Sequence, residues 1–441
     1  ARLDYKLTQH NYIMKNILAL ALCTASLSMY AQDHGLEKDI AAVESKVIEW
    51  RRDMHQHPEL SNREFKTAEK IAAHLKSLGI EVQTGVAHTG VVGLLKGDHP
   101  GKVVALRADI DALPVTERND LPFKSEVKSE YLGEEVGVMH ACGHDTHIAI
   151  MMGTAEVLAK NKDKIHGTVK FIFQPAEEGA PPGEEGGAEL MVKEGVLDNP
   201  KVDAIYGLHI GSYLPVGHIA YKPGGAMAAA QRFVVKIKGK QSHGSQPWGG
   251  IDPIFVASKI VDGYQSIISR ELELTKEAAV ITVGKISGGV RNNIIPESAE
   301  LIGTIRTLDY DMQKQVNDRM IEMAETIAKA YRADATVEIA KGVPITYNDP
   351  DLTATSLPSL QEVAGAENVH LIKAITGAED FSFYQENIPG FFYVLGGKDP
   401  NAGPDEHFPH HTPDFKIDDS GLQLGVKAMT EIALDYLDRS K

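Results

Sequence analysis

Met139-His140-Ala141-Cys142-Gly143-His144-Asp145-Thr146-His147 packs three histidines, a cysteine and an aspartate into nine residues. Thiolate sulfur, imidazole nitrogen and carboxylate oxygen are the donors that zinc-type ions take. Gly143 lets the backbone bend so that Cys142 and His144 can face one ion. The apolar run Ile148–Leu158 follows directly, so the stretch reads as a loop that opens a helix. A buried cysteine beside polar loop histidines would look the same in isolation. The decision rests on whether the rest of the chain supplies further donors.

The chain has 441 residues, 43% hydrophobic and 24% charged. That is ordinary for a soluble globular protein, with length for two or three domains of ~100–200 residues each. Its formal net charge of −16 argues against nucleic acid as a partner, since binding phosphates needs a basic face. Met14–Ala31 resembles a secretory leader: Lys15, an apolar core Ile17–Leu27, then Ser28-Met29-Tyr30-Ala31 before Gln32. The apolar core is short of the ~20 residues that span a bilayer. A periplasmic or secreted protein, free of the membrane after processing, is therefore expected. Residues 1–13 fit no leader and read as an upstream extension. Cys23 precedes the expected cleavage, which leaves Cys142 as the lone thiol and no disulfide within the mature chain. An exported lone thiol is open to oxidation, and metal ligation is a reason to keep one.

Apolar spacing predicts helices over Glu37–His57 and Glu64–Leu78, the first stopped by Pro58 and the second by Gly79. Strand-like runs follow at Glu81–Gln83, Gly90–Leu95 and Lys102–Arg107. The last leads into Asp109 and Asp111, and α/β sheets place ligand sites at such carboxyl ends of strands. After the helix Ala149–Lys160, the strand Thr168–Phe173 runs into Gln174-Pro175-Ala176-Glu177-Glu178-Gly179, and Ala204–Leu208 delivers His209. Strands alternating with helices imply a mostly parallel sheet flanked by helices. From Arg232 to Ala340 the order changes to β-α-β-β-α-β, the split unit of a ferredoxin-like α+β domain. The α/β pattern then returns through Leu352–Val363, Phe391–Leu395 and Ser420–Leu437. The expected division is residues 34–226 and 343–441 for an interrupted α/β domain, with 227–342 inserted.

The donors gather as Cys142, His144, Glu178, His209 and the pair His410-His411. Five are too many for one tetrahedral ion but suit two ions sharing a bridge. A thiolate can bridge and an imidazole normally cannot, so Cys142 is the natural centre. Adjacent Glu177 and Glu178 can divide the labour: one binds metal and the other takes a proton from a metal-activated water. That is the logic of metal-assisted amide hydrolysis.

The runs RADIDALP, HACGHDTH, QPAEEG, GLH, KGKQSHGSQPWGGIDP, GAEDFSFY and HHTPDF occur in this order from residue 107 onward. In them the chain resembles the hippurate hydrolase and N-acyl-amino-acid amidohydrolase family, within the two-metal peptidases that include aminoacylase and glutamate carboxypeptidase. The resemblance covers nearly the whole chain after Glu37. It implies a metal-dependent exopeptidase-like catalytic domain with an inserted lid or dimerisation domain. It implies two divalent ions, with Cys142 bridging, Glu178 and His411 completing one shell, and His144 and His209 the other. Glu177 would be the general base. Asp109 stands where aminoacylase-like relatives carry a ligand histidine and is expected only to support the ligands. Asp111 and His147 would orient them. His410 is the rival to His411. His243 would polarise the scissile carbonyl, often from the second copy of a dimer. Asn292, Asn293 and Arg306 would hold a substrate carboxylate, a task that suits a guanidinium fork.

The reading that follows is a zinc-, manganese-, cobalt- or nickel-dependent amidohydrolase of small N-acyl amino acids, active as a homodimer. A di- or carboxypeptidase using the same site is the alternative. A binding protein that kept the fold would have no need of Glu177.

Overall fold

The computed structural model describes residues 34–403, 406 and 408–439. The expected leader and Cys23 lie outside the described residues. The chain opens with helices α1 (Glu37–Gln56) and α2 (Phe65–Ser77) and strands β1 (Glu81–Val86), β2 (Gly90–Lys96) and β3 (His99–Asp109). A small hairpin follows, β4 (Lys128–Tyr131) and β5 (Glu134–Gly137), then α3 (His144–Lys160), β6 (His166–Gln174), α4 (Gly187–Lys193), β7 (Ala204–Pro215), β8 (Ile219–Tyr221) and β9 (Gly224–Met227). Next come β10 (Ala229–Lys238), β11 (Ser242–His243), α5 (Pro253–Ser266), β12 (Ala279–Gly288), β13 (Ile294–Ile295), β14 (Ser298–Thr307), α6 (Tyr310–Ala330) and β15 (Asp334–Ile339). The last part holds β16 (Thr346–Asn348), α7 (Pro350–Ala364), β17 (Val369–Leu371), α8 (Ser382–Gln385), β18 (Gly390–Lys398) and α9 (Leu422–Asp438).

The central sheet has eight strands in the order β1-β2-β6-β3-β7-β18-β8-β17. Its middle, β6-β3-β7-β18, is parallel throughout, and antiparallel β1 and β2 close one side. The mostly parallel sheet flanked by helices is thus the observed architecture. Central strands buried on both faces carry continuous apolar runs, and Val104–Leu106 and Phe171–Phe173 are all at or near zero exposure. Helices α1, α3 and α9 share one core with β3, β6 and β7.

A second, four-stranded sheet takes the order β12-β14-β10-β15, antiparallel throughout. In chain order its strands are 2-3-1-4, the ferredoxin-like arrangement. Helices α5 and α6 cover one face and form a separate core around Phe233, Ile260, Leu301 and Met320.

Two local readings change. The helix expected from Ala149 begins at His144, with Gly143 in the left-handed region at φ +92° just before it. A Cβ on Gly143 would also come within 2.4 Å of Ile210 Cγ2, so only glycine fits that bend. The strand expected to end at Leu208 continues to Pro215, because β18 keeps pairing with it beyond the last β3 contact at Gly207. His209 therefore sits within β7 rather than after it. The hairpin β4-β5 and the short strands β8, β9, β16 and β17 are additions, too short or too polar to show a periodic signal.

Helix α3 is anchored at its first turn. Asp145 Oδ2 accepts from His55 Nδ1 at 2.8 Å and faces Arg51 Nε at 2.9 Å, and His55 Nε2 reaches Glu117 Oε1 at 3.2 Å. All of these side chains are buried. Burial opposes charge on Asp145, but Arg51 and His55 outweigh it and hold its carboxyl well below the usual carboxylate range. A depressed carboxyl pKa stabilises the fold above the unfolded value of ~3.9, and the contribution is lost as pH falls through the folded value. Asp145→Asn should cost about 3–5 kcal/mol at neutral pH, the loss expected for one partner of a buried pair. Chemical denaturation at pH 7 and below pH 4 checks this, with the gap from the parent protein closing in acid.

Candidate metal centre

The sequence-scattered donors converge at the carboxyl ends of β3 and β6, with β7 supplying His209. Cys142 Sγ stands 3.3 Å from His209 Nε2 and 3.3 Å from His411 Nε2, and His411 Nε2 lies 3.1 Å from Glu178 Oε1. Donor atoms of Cys142, His144 and Glu178 lie within 4.8 Å of one another, as do those of Cys142, His209 and His410. The thiol is the member common to both groups.

Backbone contacts decide which histidine lone pairs are free. His209 Nδ1–H donates to its neighbour's carbonyl, Ile210 O, at 2.7 Å, which turns the Nε2 lone pair toward Cys142. His144 Nδ1–H donates to Asp111 O at 2.9 Å and lies 3.2 Å from Asp111 Oδ1. Its buried Nε2 has no hydrogen-bond partner. It points between Asp109 Oδ2 at 3.8 Å and Glu177 Oε2 at 3.7 Å. His410 is engaged at both nitrogens: Nδ1–H donates to Cys142 O at 3.1 Å, and Nε2 accepts Ser212 N–H at 3.3 Å. His411, in the left-handed region at φ +62°, keeps Nε2 toward Glu178 and Cys142. A non-glycine residue held in that conformation is a mark of functional sites.

The supporting residues are equally well placed. His147 Nδ1–H donates to Asp109 Oδ1 at 2.5 Å while its Nε2 accepts Ile210 N–H at 2.8 Å, so neither nitrogen is left for a ligand. Asp111 Oδ2 accepts from Ser61 Oγ at 2.8 Å and from Glu178 N at 3.0 Å. It orients both His144 and Glu178 and is committed to that task, which argues against proton transfer by Asp111 itself.

One buried network was not legible in the sequence. Arg107 is fully buried and donates to Asp109 Oδ2 at 2.7 Å, Glu379 Oε1 at 2.9 Å, Asp380 Oδ1 at 2.9 Å and Gln174 Oε1 at 2.8 Å. Asp380 also accepts from Gln174 Nε2 and from Ala188 N at the start of α4. A charge inside the apolar run Lys102–Arg107 was the available signal, and the run GAEDFSFY already contained its partners.

The site is short of positive charge. Burial, then Glu379, Glu178, Asp380 and Asp109, push the Glu177 carboxyl well up. Burial, then Glu178, Glu177 and Asp109, do the same to the Cys142 thiol. On His144 burial opposes charge, yet Asp109 and Asp111 raise its pKa to about 10. Donors that share one ion stand about 3–4 Å apart, since each bond is about 2.0–2.3 Å long. The spacings above, the unpartnered His144 Nε2 and the excess of buried carboxylates all fit divalent cations held by Cys142, His144, Glu178, His209 and His411.

His243, Asn293 and Arg306 are not brought to this cluster within the single chain. Among the described residues, His243 and Asn293 lie on the exposed rim of the smaller domain, where Gly244 N donates to Asn293 O at 2.8 Å. Arg306 lies on β14 opposite Ala230 and Val280, and Asn292 is exposed beside Asn293.

Such a fold, with a cysteine-, histidine- and carboxylate-lined centre on a parallel sheet, defines a metal-dependent hydrolase. Residues 105–435 match the model for Peptidase family M20/M25/M40, and the chain belongs to that family. It is 40% identical to thermostable carboxypeptidase 2 of Saccharolobus solfataricus, over 92% of this chain and 98% of that one. It is 39% identical to N-acetylcysteine deacetylase of Bacillus subtilis, over 91% and 99% of the two chains. The solved Bacillus subtilis YXEP protein, described as a dinuclear metal-binding peptidase of the M20 family, superposes with a TM-score of 0.76 at 36% identity, covering 90% of this chain and 99% of its own. The chain is accordingly a hydrolase of amide or peptide bonds that works with two divalent metal ions.

Metal ligation requires neutral imidazoles and a thiolate, so protons compete with the ions. Elemental analysis should find two divalent ions per chain, falling below one in Cys142→Ser. Chelators should strip the parent protein faster at pH 6 than at pH 8. Retention of two ions by the serine variant would remove Cys142 from the bridge.

Proposed function

We propose that the chain hydrolyses the amide bond of N-acyl amino acids. The carrying observation is Glu177. Its Oε2 lies 3.7 Å from His144 Nε2, beside Glu178; its carboxylate groups with those of Glu379 and Asp380 rather than with Cys142. A binding protein gains nothing from a second buried carboxylate there. When bound, a divalent ion polarises the amide carbonyl and lowers the pKa of water toward ~7. The residues do the remainder. Glu178, His411, His144 and His209 would hold the ions around Cys142, while Asp111 and His147, through Asp109, would keep the ligands aimed. Glu177 accepts the proton released as water attacks and returns it to the leaving amine nitrogen. The thiolate, imidazole and carboxylate set accepts zinc, manganese, cobalt or nickel.

His243 is the donor for the developing oxyanion in this reading. Its Nδ1 accepts Ser245 N–H at 3.1 Å, which puts the ring proton on Nε2. A second copy of the chain brings it to the metal centre. Support comes from exposed apolar residues of the same domain, Trp248 at 78% and Val290 at 95% exposure, which a homodimer would cover. Asn293 and Arg306 of the same domain hold the substrate carboxylate. An exported location, periplasmic or secreted, rests on the Met14–Ala31 pattern; among the described residues no helix is long and apolar enough to cross a membrane.

The N-acetylcysteine deacetylase and an Arabidopsis thaliana IAA-amino acid hydrolase at 33% identity favour N-acyl amino acids. The carboxypeptidase relative favours peptides as the second reading. Turnover of N-acetyl and N-benzoyl amino acids against dipeptides, with reconstituted enzyme, separates the two. Glu177→Gln should lower kcat by roughly 10²–10⁴ at unchanged metal content; an unaltered rate would sink the assignment. His243→Ala should lower kcat by roughly 10²–10³ with both ions retained, and near-normal turnover would remove His243 from the reaction.

A further inference from the structure

A cavity of about 200 Å³ has Glu178 on its wall. Four chain segments build it. Leu60 and Leu113 form its floor, the hairpin tip Tyr131-Leu132 one wall, and Pro181-Pro182 the other. The floor is continuous with a small apolar cluster of Leu60, Ala112 and Val138, held by the bridge between Leu60 and Ala112 and by that between Leu113 and Met139. The loop that carries Asp111 to His144 therefore also carries the cavity floor.

The hairpin tip has an odd sequence for its geometry. Leu132 and Gly133 both have positive φ, +53° and +85°. They are the central pair of a two-residue turn of the kind that favours Asn-Gly. Leucine is a poor choice for that backbone, and here it is also 69% exposed, beside Tyr131 at 37%. Neither turn formation nor core packing explains an apolar side chain at this point. Contact with something that enters the cavity does.

The polar groups on the cavity wall narrow what can enter. Its one cation, Arg63, is already held by Glu184 through two hydrogen bonds, at 2.6 and 3.1 Å. Ser61 Oγ is spent on Asp111. The remaining charge away from the metal ligands, Glu130, repels an anion. A carboxylate would have to compete with Glu184 for Arg63, whereas an uncharged apolar group meets Leu60, Leu113, Tyr131 and Leu132. An apolar cavity of about 150 Å³ is enough to bind benzene, so this one has room for a ring or a short alkyl chain. We propose that the cavity takes the apolar acyl group of the substrate, and that Tyr131 and Leu132 at the hairpin tip set which acyl groups are accepted.

This inference rests on the N-acyl reading above, and the test separates the two. The measurement is the ratio of kcat/KM for the N-benzoyl and N-acetyl derivatives of one amino acid, in the parent enzyme and in Leu132→Asn. Asparagine suits the turn, so the variant should match the parent in thermal midpoint and metal content. The ratio should fall roughly tenfold, the lower end of what a lost apolar contact is worth in discrimination. Leu371→Asn, an equally exposed leucine on the far edge strand β17, should leave the ratio where it was. A ratio unchanged in Leu132→Asn, or shifted as much by Leu371→Asn, overturns the proposal. Binding of benzamide, which carries the ring without a negative charge, followed by calorimetry gives an independent reading: weaker binding to Leu132→Asn supports the cavity even if no N-acyl amino acid is turned over, which would defeat only the functional reading.

Discussion

Buried negative charge is the constraint that organises this protein. Asp109, Asp111, Glu177, Glu178, Glu379 and Asp380 converge at one end of the central sheet, and removing carboxylates from water is costly unless they are paired. Arg107 answers three of them at 2.7–2.9 Å. Of the remainder, Asp111 faces His144 Nδ1, and Glu177 and Glu178 lie by His144 Nε2 and Cys142 Sγ, a region whose electrostatics raise a histidine and a thiol alike. Divalent cations are the charge that would balance that region. The fold and the chemistry thus depend on the same interaction.

The scaffold makes the convergence rigid. Asp109, Gln174 and Gly207 are placed by parallel pairing of β3 with β6 and β7. Helix α3 starts at His144 because Gly143 turns the chain and because Arg51 and His55 hold Asp145 at the first turn. A carboxylate at a helix N-terminus is further favoured by the helix dipole. His144 and His209 each have Nδ1 tied to a backbone oxygen, which sets the direction of Nε2. His410 and His411 differ from them and from each other. The former spends both nitrogens on Cys142 O and Ser212 N–H, and the latter spends none on backbone.

Most of the site could be read from residue types and spacing. Cys142, His144, Glu177, Glu178 and His209 all belong to short runs in which polar, metal-competent residues interrupt apolar periodicity, and that contrast survives in one dimension. The parallel sheet was legible because strands alternate with helices along the chain. The hairpin at Lys128–Gly137 escaped because its strands are four residues long and mostly exposed. Arg107 with Glu379 and Asp380 escaped as a unit because its members lie 272 and 273 positions apart, and no local pattern marks a pair that distant.

By itself the amino-acid sequence determined the fold class and the short runs that carry the thiol, the histidines and the adjacent glutamates. These follow from local properties: hydrophobic period, donor chemistry and the freedom of glycine. Only the tertiary structure decided which nitrogen of each histidine is free, and that His243, Asn293 and Arg306 stand apart from the cluster in a single chain. Those facts depend on hydrogen bonds and distances between segments far apart in the chain, which exist only once the sheet has brought them together.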